Sequence, residues 1–379
     1  MVTRRGMLKI AGAVGAAGIL AAPGRAVAAS RSQTAPGAWQ TTLDGMVTAG
    51  AVGVLAEVHD RARVWTGTSG AAQMGTGQPM PHGGTVRAGS ITKPFVATVV
   101  LQLAGERRLG LDDTVQRWLP GFLPGGDRIT LRHLLQHTSG LHDYSRTDAF
   151  AAIYESAGGV ERMRFHTWKP QDLVAFVGDR PLLFEPGSGW RYANTNFLVL
   201  GMVIERVTGT RYGAEIRRRV LCPLGLDRTA VPGTDPRMHA PHPHGYVPGS
   251  ADPVDVSVYN PSVAGAAGEI VSTAHNLNVF FRALVGGRLV RPAEQRQMLT
   301  SWPTTVDYDY GLGVMTRVLP GGTRVWGHRG DFMGAYWTET WVAEHGGRQL
   351  TVSMTPWGDV EPKPSIAALA QLVFEGIED

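Results

Sequence analysis

The chain runs to 379 residues, 43% of them hydrophobic and 18% charged, with a single cysteine. That composition excludes a disordered chain, a collagen-like fibre and a disulfide-stapled mini-domain, and the length suggests two structural lobes. The formal charge of +4 belongs to the first 28 residues, where Arg4, Arg5, Lys9 and Arg25 face no acidic residue; the rest holds 32 basic and 32 acidic residues, which argues against general attraction to nucleic acid or anionic membrane.

Paired arginines within residues 3–9, an apolar stretch at 10–22 and the small-x-small site Ala26-Val27-Ala28 follow one another at the start of the chain. The arrangement resembles a twin-arginine export signal occupying residues 1–29, with a secreted mature protein. The apolar stretch is short for a bilayer, and no later run of 18 apolar residues suggests a membrane span. A lone Cys222 excludes an intrachain disulfide and a cysteine-rich metal site; between Leu221 and Pro223 it reads as a small buried residue.

Short β-branched runs at 51–67 and 84–88 predict strands. From 91 to 104 the apolar residues Ile91, Phe95, Val96, Val99, Val100 and Leu103 predict a helix that is hydrophobic almost all round, hence buried. Its first turn carries Lys93, three residues after Ser90, and a helix beginning near Ser90 brings the amine to the hydroxyl. The chain has 32 arginines and only four lysines, Lys9, Lys93, Lys169 and Lys363. Arginine cannot deprotonate at working pH, whereas a desolvated lysine can. Keeping such an amine neutral at pH 7 costs about 4–5 kcal/mol, which the apolar helix and its positive dipole end help to offset. A serine hydroxyl becomes a good nucleophile only when a base takes its proton. By itself S-x-x-K is weak evidence, expected about 0.16 times by chance.

Residues 105–305 read as helical segments joined by Pro-, Gly- and His-rich loops. Tyr192-Ala193-Asn194 is the sole Y-x-N, ahead of a helix predicted near Asn196. A phenol there can relay protons, and an asparagine amide can orient a carbonyl. Arg217-Arg218-Arg219 reads as a helix end, where cations suit the dipole. His239, His242 and His244 are separated by Pro241 and Pro243 and read as a surface loop, not a zinc site. Strands return at 310–319, 323–326, 335–342 and 349–355, with His328-Arg329-Gly330 following the third-last of them. A final amphipathic helix carries Ile366, Leu369, Ala370, Val373 and Ile377. The predicted fold class is α+β. One antiparallel sheet flanked by helices is formed from 30–100 and 306–379, and 101–305 is an inserted, mainly helical lobe.

Ser90-Ile91-Thr92-Lys93, Tyr192-Ala193-Asn194 and His328-Arg329-Gly330, in this order, resemble the signature of the penicillin-recognising serine hydrolases. More narrowly, the chain is similar to secreted D-alanyl-D-alanine carboxypeptidases related to class C β-lactamases. The likeness extends through the Thr130–Leu141 stretch (His137-Thr138-Ser139-Gly140), Phe184-Glu185-Pro186-Gly187, and Tyr310-Gly311-Leu312-Gly313. It implies an α/β lobe against a helical lobe, with Ser90 acylated, Lys93 its base and Tyr192 a proton shuttle. It further implies that Asn194 binds the substrate amide, that His328 and Gly330 line the sheet side, and that the N–H groups of Ser90 and Asp331 form the oxyanion hole. Ser139 is then structural. No metal or other cofactor is expected; the partners are a peptidoglycan stem peptide or another small acyl substrate, with β-lactams as inhibitors of a monomer. Two departures bear on substrate. Arg329 stands where relatives that bind a terminal carboxylate have threonine, and Asp331 brings an anion nearby, so Arg329 either grips that carboxylate or pairs with Asp331. An esterase or β-lactamase on the same scaffold and a non-hydrolytic penicillin- or peptidoglycan-binding module are the rival readings. Lys-Thr-Gly would be usual in class C enzymes where this chain has His328-Arg329-Gly330, which weighs against a β-lactamase.

Overall fold

Seven extended segments form one sheet: β1 (Gly53–Asp60), β2 (Arg63–Gly70), β3 (Asp309–Tyr310), β4 (Met315–Val318), β5 (Arg324–Phe332), β6 (Tyr336–Ala343) and β7 (Arg348–Thr355). Their order is β2-β1-β7-β6-β5-β4-β3, and every neighbouring pair is antiparallel. Gly53 lies opposite Thr355 where β1 meets β7, so strands from both ends of the chain share the sheet, as the strand pattern predicts. The computed structural model describes residues 35–376 other than 62, 157, 240, 250 and 251; the expected export signal at 1–29 and Ile377 lie outside the described residues.

Helices α1 (Ala35–Thr48) and α6 (Pro362–Glu375) cover the sheet, and Pro362 at the first turn of α6 presets its φ. Ile366, Leu369, Ala370 and Val373 of α6 join Trp39, Leu43 and Met46 of α1 over Val54, Val58, Leu350 and Val352. Each large side chain buried there contributes about 1.5–3 kcal/mol. A second core surrounds α2 (Thr92–Gly105), of whose fourteen residues twelve are buried. Phe95 of α2 stacks on Phe280 of α5 (Ala274–Val285) with ring centroids 3.6 Å apart. Helices α3 (Leu131–Gln136) and α4 (Asn194–Thr208) complete its surroundings. Among the described residues no helix is long and apolar enough to cross a membrane.

Several local expectations change in three dimensions. Helix α1 has no counterpart in the sequence reading, although Trp39, Leu43 and Met46 recur at i, i+4 and i+7 among its Ala, Gly and Thr residues. The expected strand at 84–88 shrinks to Val86–Arg87, paired with Val271–Ser272 outside the main sheet. Arg217-Arg218-Arg219 does not end a helix: it lies inside a helical run continuing through Cys222–Leu224. There Arg218 and Arg219 both grip the buried Glu215, and Arg219 also reaches Glu106. Cys222 is exposed, because Val220 and Leu221 take the inward positions of that run.

Candidate active site

A single 3-10 turn, Gly89–Ile91, leads into α2 and carries Ser90. Gly89 has φ +52°, and a Cβ there would sit 2.4 Å from the Asp331 carbonyl oxygen, so the turn and β5 approach as only glycine allows. The approach is closer still from the other side. A Cβ on Gly330 would lie 1.8 Å from the Ala88 carbonyl oxygen. Gly330→Ala should therefore push β5 off the serine turn, removing activity and lowering stability by at least the roughly 1–3 kcal/mol of an overpacked core. Unchanged melting and turnover in that variant would disprove the tight packing of strand on turn.

Lys93 is fully buried, and its Nζ has three neighbours within hydrogen-bond reach: Ser90 Oγ at 2.9 Å, Asn194 Oδ1 at 2.8 Å and the Ala267 carbonyl oxygen at 2.8 Å. Burial pushes the amine down to about 7, with the Asp143 carboxylate pulling the other way. A neutral amine has two N–H groups and one lone pair. The Asn194 and Ala267 oxygens can only accept and so take both N–H groups, leaving the lone pair to face the one neighbour able to donate, the Ser90 hydroxyl.

Tyr192 lies across this group, its ring centroid 4.8 Å from Lys93 Nζ. Burial drives the phenol well above its ordinary value, while a hydrogen bond with Ser90 acts in the opposite sense, so it is protonated at neutral pH. Its ring rests 4.2 Å from that of His137, which closes α3 in a left-handed conformation. His137 Nδ1 accepts from the Ala193 N–H (3.2 Å) and from Asn196 Nδ2 (2.9 Å), tying α3 to the Tyr192-Ala193-Asn194 segment and the first turn of α4. Ser139 is buried and donates to Asn196 Oδ1 at 2.7 Å. Helix α4 starts at Asn194, two residues before its expected position.

On the opposite wall β5 continues through His328-Arg329-Gly330 to Phe332; the strand does not stop before the histidine as the sequence suggests. His328 is wholly buried behind the cleft. It is held by the Arg329 carbonyl oxygen (2.5 Å) and the Tyr310 hydroxyl (2.9 Å), and burial drops its imidazole to about 3. Arg329 does not pair with Asp331. Its guanidinium binds Asp307 at 2.9 and 2.5 Å and lies 3.3 Å from the buried Glu339, its cross-strand partner on β6. Asp331 instead accepts from the Gly334 N–H at 2.7 Å. Ser90, Tyr192, Arg329, Gly330 and Asp331 all line one cleft of about 530 Å³; Lys93 and His328 are fully buried and, like Asn194, do not line it.

Residues 39–368, most of the chain, match the Beta-lactamase family. The chain belongs to this family. The crystal structure of a D-stereospecific amidohydrolase from Streptomyces sp. superposes with a TM-score of 0.82 at 39% identity, covering 90% of this chain and 99% of that one. Penicillin-binding protein 4* of Bacillus subtilis is 29% identical over 70% of the chain, and esterase EstB of Burkholderia gladioli 34% identical over 50%. The chain spans 59% and 49% of the length of these two curated relatives. The protein thus has the β-lactamase fold.

Within this family member the sequence reading did not find Asp143, Ser145, Ala267 or Asp307, which surround Lys93, Asn194 and Arg329. Asp143 follows the Ser139-Gly140-Leu141 stretch closely, yet nothing in its own spacing marks it; the other three reach the site by tertiary folding alone. Among the described residues one group, Glu57, His59 and His275, brings metal-ligating atoms together. Its atoms already serve one another. Glu57 Oε1 lies 2.5 Å from His59 Nε2 and 3.2 Å from Asn278 Nδ2, and Arg282 occupies His59 Nδ1. His239 and His244 pair separately with Asp235 (3.5 Å) and Asp255 (2.6 Å).

Proposed function

We propose that this protein hydrolyses amide or peptide bonds of D-amino acids through an ester on Ser90. The observation that carries the reading is the buried Lys93 amine, 2.9 Å from Ser90 Oγ, with its other two contacts made to oxygens that only accept. Lys93 takes the Ser90 proton as Oγ bonds to the substrate carbonyl carbon. The N–H groups of Ser90 and Asp331 hold the developing oxyanion. The C–N bond then breaks, and the protonated Tyr192 supplies a proton to the leaving nitrogen, taking one in turn from the Lys93 ammonium beside it. Water reverses the sequence at the ester, releasing the acid and restoring Ser90. Two titratable groups pushed in opposite directions, an amine lowered and a phenol raised, divide the work between base and acid.

The narrower expectation is a D-alanyl-D-alanine carboxypeptidase that binds penicillin, exported to act on peptidoglycan stem peptides as a monomer. Arg329, nominated to read the terminal carboxylate, is occupied by Asp307, which favours the wider amidohydrolase class named for the Streptomyces relative. One observation keeps the carboxypeptidase reading in view: Arg146, Arg191 and Lys363 also line the cleft and can meet a carboxylate. Incubation with D-alanine amide, with diacetyl-Lys-D-Ala-D-Ala and with a p-nitrophenyl ester decides among amidase, carboxypeptidase and esterase. Turnover of the amide with a Ser90-linked intermediate is expected. Hydrolysis of the ester alone, or binding of all three without turnover, would overturn the proposal. Because only the free amine has a lone pair, acylation should rise with pH through about 7, the value to which burial lowers Lys93. A rate that falls across that interval would remove Lys93 as the base.

A further inference from the structure

Asp143 sits behind the nucleophile, its side chain only 5% exposed. Its Oδ1 accepts from the Ser145 backbone N–H at 3.1 Å and from Ser145 Oγ at 2.9 Å. Its Oδ2 accepts from Asn194 Nδ2 at 3.2 Å, and the same Nδ2 lies 3.2 Å from Ser145 Oγ. The other end of that amide, Asn194 Oδ1, accepts from Lys93 Nζ. A chain of contacts therefore runs from carboxylate to amide to amine to the Ser90 hydroxyl.

We propose that Asp143 is a positioning residue for the base, acting on Lys93 through the Asn194 amide and through its own charge. The amide has two orientations. With Nδ2 toward Asp143, a donor meets an acceptor at both ends. Turned over, its oxygen would face a carboxylate, acceptor against acceptor, and its NH2 would take up the amine's lone pair that Ser90 needs. Asp143 thus selects the orientation that gives Lys93 an acceptor and turns the amine's lone pair to Ser90.

The charge acts in the same place. Burial lowers the Lys93 amine, and Asp143 is the anion that opposes it. The histidines and tyrosines facing this pocket carry no charge at neutral pH. His137 and His328 are held neutral by burial, while Tyr144 beside Asp143 and Tyr192 beside Lys93 are held protonated by it. Arg146, 4.0 Å from the Asp143 carboxylate, stands on the solvent side, and Asp331 stands across the cleft near Tyr192. A base works best when its proton affinity is near the working pH. Asp143 brings Lys93 back toward that value from below.

This inference rests on the reading of Lys93 as base, and the test separates the two. Wild type, Asp143→Asn and Asp143→Glu are each acylated with a fluorescent penicillin across a pH series, and adduct rates are followed with melting temperatures. Asp143→Asn, isosteric but uncharged and free to turn either end of its amide to Asn194, should slow acylation by about tenfold to a hundredfold, on the scale of general-base catalysis. It should also move the acidic limb of the profile to lower pH, which a purely structural defect would not do. Asp143→Glu keeps the charge while moving the carboxylate, so it should slow acylation and leave the limb in place; that arm serves even if Asp143→Asn fails to fold. A wild-type limb in folded Asp143→Asn, or a displaced limb in Asp143→Glu, overturns the positioning role alone. Absence of any Ser90 adduct in wild type overturns the reading of the site, and this inference with it.

Discussion

Replacing Lys93 with arginine should abolish acylation as thoroughly as replacing it with alanine. Arginine keeps a cation on α2 but has no proton to lose at working pH, so the Ser90 proton has nowhere to go. The site is also intolerant of bulk, since Lys93 is fully buried and already has three partners within 2.9 Å. General-base catalysis is worth roughly 10²–10⁴ in rate. Both variants should lose at least the lower figure, equivalent to about 2.7 kcal/mol of barrier. The check is the rate at which a penicillin adduct appears on the peptide containing Ser90, read by mass spectrometry. Near-normal acylation in the arginine variant would mean that a positive charge suffices and that the base lies elsewhere.

Arg329→Ala is expected to be a stability mutation and not a specificity mutation. The guanidinium lies against Glu339, which is 1% exposed and whose other partners are the indole N–H groups of Trp337 and Trp341. Removing one member of a buried pair leaves the other uncompensated, at a cost of about 3–5 kcal/mol. Arg317, whose guanidinium also feels Glu339, should hold the loss toward the lower end. Denaturant unfolding measures it. A free-carboxylate peptide and its C-terminal amide should suffer alike, whereas a selective loss on the free acid would restore the carboxylate-reading role to this residue. Asp307→Ala is the gentle companion, because that carboxylate is 58% exposed on the side chain and its pair with Arg329 is worth less than about 1 kcal/mol. The Arg329 guanidinium holds the Asp307 carboxyl below its usual range. Its contribution is therefore present above the unfolded carboxylate value, about 3.9, and fades as pH falls through the lower folded one. Wild type and Asp307→Ala should accordingly converge in stability in strong acid and differ at neutral pH.

Those two residues mark where local sequence suffices and where it does not. The buried character of α2 follows from apolar residues on every face of a helix. The Ser90–Lys93 contact follows from i, i+3 spacing, and the docking stripe of α6 from 3.6-residue periodicity. All three depend only on the rise and twist of a helix, so residues a few positions apart determine them. The strands and their antiparallel arrangement are legible in the same way, though their ends are not: β5 runs through the His328-Arg329-Gly330 segment because β6 pairs with it along its whole length. Other features depend on which distant segments meet. Arg329 has Asp331 two residues away and yet binds Asp307, since strand register sets Glu339 beside it and the chain before β3 brings in the second carboxylate. Asp143 acts on Asn194 across 51 residues, and Gly53 faces Thr355 across 302. The Lys93 amine owes its place to spacing but its proton affinity to desolvation by α4, the Ala267 loop and β5. Periodicity can be read one segment at a time; water is excluded only when segments far apart in the chain close around the same atom.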